Sequence, residues 1–254
     1  MPRTMLNDQH WSKLTTIFRH FNIYLKLNLR NFIEAILFRI RTGCPWRDLP
    51  QEFGKPNSIF KKYNRWSKNN KLMNIFKLFS QHADKEWIFI DGSHVRAHQH
   101  SAGIKNQDIS KSIGGNSSKI HLAIDSNGNP IEFIISDGTS HDMKIAPDLV
   151  SKLDLSESEM LCADKGYDSE SLRKQIQDSK TKPNIPRKSN TKSSNDHMDW
   201  YMYKIRHLVE NAFCRLKQFR GIATKYDKRI RTYQSAVVLV VYLYRYLSSS
   251  VYLL

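Results

Sequence analysis

Asn127-Gly128 stands between two alternating runs, SKIHLAIDS before it and NPIEFIIS after it, and no other stretch constrains the fold as tightly. An Asn-Gly pair flanked by period-two alternation is the strongest short-range hairpin signal, because both residues accept the positive φ of a tight turn. Upstream, EWIFIDGS reads as a short apolar strand ending at Asp91. Downstream the texture alternates. HDMKIAPDLVSKL reads as a helix despite Pro147, EMLCADKG as a strand ending at Asp164, and DSESLRKQIQ as a helix capped by Asp168 or Ser169. KPNIPRK reads as a last strand, TKSSND as a loop, and about Asp199 to Gln218 as one long helix. The polar segment HQHSAGIKNQDISKSIGGNSSK, rich in Ser, Gly and Lys, reads as a mobile loop between the first strand and the hairpin.

A strand, a hairpin, then helix, strand, helix, strand, helix is a mixed α/β order that fits a ribonuclease-H-like core. Residues 1–80 differ and read as helical throughout. NDQHWSKLTTIF opens on a possible Asn7 cap, and NLRNFIEAILFRIR carries Phe32, Ile33, Ile36, Leu37 and Ile40 at helical spacing. TGCPWRDLP breaks that helix and PNSIFKKYNRWSKNN resumes one. There Ile59, Tyr63 and Trp66 share a face opposite Lys61, Lys62 and Arg65, the pattern of a helix-turn-helix-like DNA reader or of an ordinary charged surface. The expected division is a helical DNA-binding domain over 1–82 and a ribonuclease-H-like catalytic domain over 83–254.

The formal charge of +16 favours a polyanionic partner. Cys44, Cys162 and Cys214 lack paired spacing and read as buried free thiols of a reducing cytoplasm, not as disulfides or zinc ligands. MPRTMLNDQHWSKL has no apolar signal core, and AVVLVVYLY is far shorter than the ~20 residues a membrane helix needs. It reads as a buried C-terminal core helix, and the chain as cytoplasmic with no membrane partner.

Three acids carry the candidate chemistry. Asp91 and Asp164 directly follow the apolar runs WIFI and LCA, while Glu210 lies on the last polar helix with Tyr203, Arg206 and Lys217. On one continuous helix that Tyr-x2-Arg-x3-Glu-x6-Lys spacing fills an arc of about 60°. Two divalent ions about 3.5–4 Å apart, held by such carboxylates, neutralise a phosphodiester and supply its nucleophile. Magnesium, with manganese as substitute, suits hard oxygen ligands. The expected assignment has Asp91 bridging both ions, Asp164 holding one and Glu210 the other. Arg206 and Lys217 would grip phosphate, and Tyr203 would donate to it or stack on a base. Against this, an aspartate after a strand is often a turn former or cap, and Asp84, Asp125, Asp137 and Asp142 occupy comparable places. An i,i+4 Arg206–Glu210 pair is also an ordinary helix-surface contact. His94, His98 and His100 lack cysteine company and convergent spacing, so they read as polar surface instead of a zinc site.

Taken together, WRDLPQEFG, DGSHVRAHQH, GGNSSKIHLAIDSNGNPIEF, ADKGYDSE and RHLVENAFCRLKQFRGIATKYDK resemble successive blocks of the bacterial insertion-sequence DDE transposases, in the IS-five-like branch. The resemblance covers almost the whole chain and carries the triad onto Asp91, Asp164 and Glu210. It implies double-stranded DNA partners, both the element's terminal inverted repeats and the target, hydrolysis at the element ends, and transfer of the 3′-hydroxyls into the target. It also implies a homodimer or larger synaptic assembly. The interval from Asp164 to Glu210 leaves no room for a large inserted β-domain, and Thr224-Lys225 stands where a more basic pair is expected. A stand-alone nuclease on the same fold and a catalytically dead or domesticated DNA-binding protein remain as alternatives.

Overall fold

The computed structural model describes residues 4–101, 108–112, 115–189, 191 and 193–247. Its contacts divide the chain into two compact units. One comprises Met1–Leu78, His98–Lys105 and Leu216–Leu254, and the other Phe79–Ala97 and Asn106–Arg215. The C-terminal helix therefore groups with the N-terminal helices, where the sequence reading runs a catalytic domain unbroken from 83 to 254.

The second unit is built on a mixed sheet. Its strands are β1 (Trp87–Ala97), β2 (Ser110–Ser112), β3 (Gly115–Ile124), β4 (Pro130–Asp137), β5 (Met160–Cys162) and β6 (Lys182–Asn184). β3 pairs antiparallel with β1, β2 and β4, whereas β5 pairs parallel with β1 and with β6. The antiparallel strands β1 to β4 followed by the parallel β5 and β6, with β1 in the middle, give the ribonuclease-H-like topology. The hairpin forms as expected. Gly128 takes φ +78°, and the Asp125 carboxylate accepts from Asn127 N at 3.0 Å and Asn129 N at 2.8 Å, which fixes the turn.

Alternation along β1 decides its two faces. Ile88 and Ile90 join Leu161, Ala163, Leu149, Leu172 and Ile176 in one dry core. That core lies between the sheet and helices α5 (Asp142–Ser151) and α6 (Glu170–Asp178). Phe89 and Asp91 point to the opposite face. Ser169 caps α6 by accepting from Leu172 N at 3.2 Å, settling the choice between Asp168 and Ser169. Pro147 is tolerated within α5.

The sequence reading needs correction at three points here. Asp91 lies within β1, not at its end, because antiparallel pairing with β3 carries the strand on to Ala97. The segment read as one mobile loop holds β2 and the start of β3, since Ser110–Ser112 finds a ladder partner in Gly115–Ser117; residues 102–107 and 113–114 lie outside the described ones. The long terminal helix is broken into α7 (Trp200–Ile205) and α8 (His207–Lys217) at Arg206, where the backbone tightens. Arg206 N bonds Tyr203 O at 3.2 Å and Val209 N bonds Arg206 O at 3.0 Å, so the i→i−4 ladder is interrupted there.

The first unit is mainly helical: α1 (Asp8–His20), α2 (Leu29–Thr42), α3 (Pro56–Lys68), the start of α4 (Lys71–Gln81), α9 (Arg220–Ala223) and α10 (Ile230–Leu247). Asn7 caps α1 by accepting from His10 N at 2.8 Å. Gly43 ends α2 in the left-handed region at φ +72°, a conformation that costs glycine little. Val237, Val238, Val240, Val241 and Leu243 of α10 are buried, which makes that run the core helix its composition suggests. Among the described residues no helix is long and apolar enough to cross a membrane. Glu34 is buried and accepts from Met5 N at 2.7 Å and Leu6 N at 2.9 Å, tying down the chain ahead of α1. Of the three free cysteines Cys162 is buried, Cys44 is half-buried and Cys214 is exposed. The expectation of buried thiols therefore fails at Cys214, which lies on the outer side of α8.

Candidate active site

Phe89 pairs with Cys162 in the parallel register of β1 and β5, and Asp91 and Asp164 each lie two residues beyond that pair. Both acids thus lie just past the parallel β1–β5 pairing, Asp91 still within β1 and Asp164 beyond the end of β5, where an open sheet commonly binds ligands. Each carboxylate is held by a nearby backbone amide. Gly92 N donates to Asp91 Oδ1 at 2.8 Å, and Gly166 N donates to Asp164 Oδ1 at 2.6 Å.

Glu210 reaches this corner through Arg206. The guanidinium donates from Nη1 to Asp91 Oδ2 at 3.0 Å and from Nη2 to Glu210 Oε1 at 2.7 Å. Tyr203 packs against the same guanidinium, whose carbon lies 5.8 Å from the ring centroid. The break between α7 and α8 puts Arg206 at the junction, aimed across at β1 as well as along its own helix. Asn184 of β6 fixes the approach, donating from Nδ2 to Asp199 O at 2.9 Å and accepting from Asp199 N at 3.0 Å. Asp199 in turn caps α7 through Met202 N at 2.9 Å. No spacing in the sequence marks Asn184, because its partner lies across a loop.

Burial pushes the Asp91 carboxyl above its usual range, and the nearby Asp164 charge adds to that; Gly92 N–H and Arg206 offset only part of it. Arg206 is raised as well, the attraction of Asp91 and Glu210 outweighing its burial. These shifts describe acids crowded together and shared by one arginine. Among the described residues no group of three His, Cys, Asp or Glu side chains is close enough to hold a metal ion. The guanidinium of Arg206 bridges Asp91 and Glu210. In kind, three carboxylates short of positive charge still suit a hard divalent cation.

A second cluster backs β1 on its other side. Lys119 Nζ is 2.7 Å from both carboxylate oxygens of Asp142, and His121 Nδ1 is 3.3 Å from Asp142 Oδ1. Burial pushes Asp142 up, but His121 and Lys119 outweigh it and hold the carboxyl down at about 2. A Cβ on Gly92 would stand 2.5 Å from Asp142 Oδ1 and 2.7 Å from Lys119 Cε, so any other residue after Asp91 would push these two side chains aside. Tyr167 is fully buried beside it, its hydroxyl pushed well up by burial and by Asp142, Asp91 and Asp164. Sequence reasoning set Asp142 aside with the other strand-end acids and did not single out Lys119, His121 or Tyr167. The alternation that points Gly92 opposite to Asp91 was the available signal.

Lys217, Lys61, Lys62 and Arg65 complete the expected contacts. Lys217 is the last residue of α8 and is counted with the helical unit. On α3, Lys61 and Arg65 are exposed. Lys62 is not on that outer face but half-buried, its Nζ 4.0 Å from the centre of the Phe32 ring. Burial and the neighbouring Arg65 and Lys26 lower its proton affinity. His94 Nε2 lies 3.0 Å from Gly138 O, and the His98 ring packs on His100 and Tyr226 at 4.8 and 5.1 Å.

Residues 82–243 match the sequence family described as transposase DDE domain, and residues 6–76 match one described as putative transposase of the IS4/5 family. A putative transposase for insertion sequence element IS6501 from Brucella ovis is 33% identical over 120 residues, covering 47% of this chain and 90% of the relative. An uncharacterized protein, y4sN, from Sinorhizobium fredii is 39% identical over 80 residues, or 32% of this chain, and the match spans 64% of that relative's length. In three dimensions the chain resembles the piggyBac transposase in a synaptic complex with hairpin DNA, with a TM-score of 0.50 and 11% identity over 97% of this chain and 74% of the other. That likeness is one of fold.

Proposed function

This chain belongs to the transposase DDE domain family, and from that premise we propose that it cuts DNA at the ends of an insertion element and joins the freed 3′-hydroxyls to target DNA. The observation that supports the reading is the meeting of Asp91 and Glu210 on one guanidinium, Arg206, with Asp164 at the adjoining strand end. In this proposal Asp91, Asp164 and Glu210 hold magnesium, or manganese in its place, as a pair of ions. Those cations would neutralise the scissile phosphate and lower the pKa of the attacking hydroxyl.

The chain's own residues prepare that arrangement. Gly92 and Gly166 amides orient one oxygen of each aspartate, and the second oxygen of Asp91 is held by Arg206. Arg206 holds Asp91 and Glu210 in place of the cation, and on its arrival would swing to a non-bridging phosphate oxygen, to which it can donate twice. Tyr203 limits where the guanidinium travels. The Lys119–Asp142 pair stiffens β1 from behind and keeps Asp91 in register. The helical domain, 1–82, would supply DNA contacts through Lys61 and Arg65, with Lys217 adding one from α8; Lys62, resting on Phe32, would contribute mainly packing. Double-stranded DNA, as element ends and target, is the partner, and two or more copies would act on paired ends.

The test is a strand-transfer assay in magnesium or manganese, with the DNA flanking the gene as donor and a supercoiled plasmid as target. Joined product that disappears in Asp91→Ala is the expected result. Cuts without joining would instead identify a nuclease. Binding without either by folded protein would identify a DNA-binding protein only.

A further inference from the structure

Within the helical unit a cavity of about 600 Å³ opens between α3 and the segment leading into α10. Trp46, Phe60 and Tyr226 give it aromatic walls, and Lys61, Lys228 and Arg229 stand among its lining residues. Phe60 is 40% exposed, an unusual state for a phenylalanine on a packed helix, and its ring meets Trp46 edge-on at 5.4 Å. The wall is rigid. Arg39 lies 4.3 Å over the Trp46 ring and pairs with buried Asp227 at 3.3 Å, while Tyr63 packs against Trp46 from within at 5.6 Å. Lys61, Lys228 and Arg229 form no ion pair among the described residues.

We propose that this cavity binds a single unstacked nucleotide, its base against Phe60 and Trp46 and its phosphate on Lys61, Lys228 and Arg229. Flat aromatic faces with cations at the edge fit a planar heterocycle joined to a phosphate, and the volume is ample for one nucleotide. Purely apolar ligands would strand three cations, and inorganic phosphate would leave the rings uncovered. The nucleotide would come from DNA, extruded from its duplex, and in that respect the inference rests on the proposed function; a free nucleotide shares the chemistry.

The test uses the full chain and fluorescence anisotropy with three labelled duplexes: fully paired, carrying one bulged thymidine, and carrying an abasic residue in that bulge. Thymidine monophosphate is titrated separately by calorimetry. The bulged thymidine should bind about tenfold tighter than the abasic bulge. Phe60→Ala and Tyr226→Leu should each erase that preference while leaving affinity for the paired duplex within about twofold; two variants guard against one that misfolds. Equal affinity of the wild type for the two bulges, with no uptake of thymidine monophosphate, would overturn the proposal. So would a preference that survives in both variants. Uptake of the monophosphate, lost in Phe60→Ala and without bulge preference, supports the cavity and makes free nucleotide its source. Failure to bind paired duplex in a salt-dependent manner counts against the transposase reading alone, because the monophosphate arm still reads the cavity.

Discussion

Asp91 and Asp168 are acids of the same unit, each set against an arginine, and their environments drive them in opposite directions. Asp168 is buried, and its Oδ1 takes Arg173 Nη2 at 2.8 Å and Nε at 3.1 Å while Oδ2 takes Lys188 N at 2.9 Å. Burial raises its proton affinity, but these donors outweigh it and the carboxyl is held below its usual range. Arg173 is completed by Ile185 O at 2.6 Å. Asp91 has one amide and one shared guanidinium, faces another carboxylate, and is pushed up. The first arrangement is a closed cluster that serves the fold, with a second guanidinium, Arg187, 3.5 Å from Oδ1. The second leaves negative charge uncompensated, which costs stability and suits a site that recruits positive charge. The arginine is common to both; what differs is whether it is shared.

If that contrast is right, Asp168→Asn should do the greater damage to the fold. Leaving Arg173 buried without its partner should lower unfolding stability by about 3–5 kcal/mol, whereas Asp91→Asn should leave the urea midpoint close to wild type. Equal losses in the two variants would dissolve the comparison. Magnesium sharpens it next. If the three acids take up the cation, a concentration roughly a hundred times the dissociation constant should stabilise the wild type by about 2.7 kcal/mol and leave Asp91→Asn unmoved. Identical thermal shifts in both proteins would remove Asp91 from any cation site.

Acid titration tests the signs. Asp142 is depressed from 3.8 to about 2, so its contribution is fully present above pH 3.8 and is lost as pH falls toward 2. The contribution at stake is on the order of 2 kcal/mol. Asp168 shifts the same way. Asp91 is raised, so its unfavourable contribution is present at neutral pH and eases as pH falls through its raised value. Denaturation of Asp142→Asn should therefore show a shallower loss of stability in acid than the wild type, while that of Asp91→Asn should show a steeper one. The same direction in both variants would contradict the assignment. The smallest effect is expected at α3, the helix proposed to contact DNA. Lys61→Ala should weaken binding to fully paired duplexes of any sequence about equally and reduce the slope of log affinity against log salt by about 1. Lys62→Ala should instead lower stability, since its stem and ammonium cover Phe32.

Local chemistry made much of the molecule legible. The Asn127-Gly128 turn, the Asn7 and Ser169 caps, the apolar run of α10 and the short strand ahead of Asp164 all announce themselves within a few residues, because turns, caps and alternation depend on near neighbours. The blocks containing Asp91, Asp164 and Glu210 carry the family resemblance in the same way. Contacts between distant residues were not legible. Asp125, Asp137, Asp142 and Asp164 look alike in a sequence, yet one closes a turn, one accepts from Thr139, one pairs with Lys119 and one joins Asp91 beyond the parallel strands. The break at Arg206 escaped helical periodicity too, since it accompanies a bond to Asp91 on another element.

The amino-acid order thus determined which segments become strands and helices, where they start, and which acids follow apolar runs, through steric and hydrogen-bonding preferences that act over one turn or one pleat. Which acid is neutralised by a dedicated partner and which shares an arginine was decided only by the tertiary structure. A buried charge responds to every group packed around it, and the sheet draws those groups from strands and helices far apart in the chain.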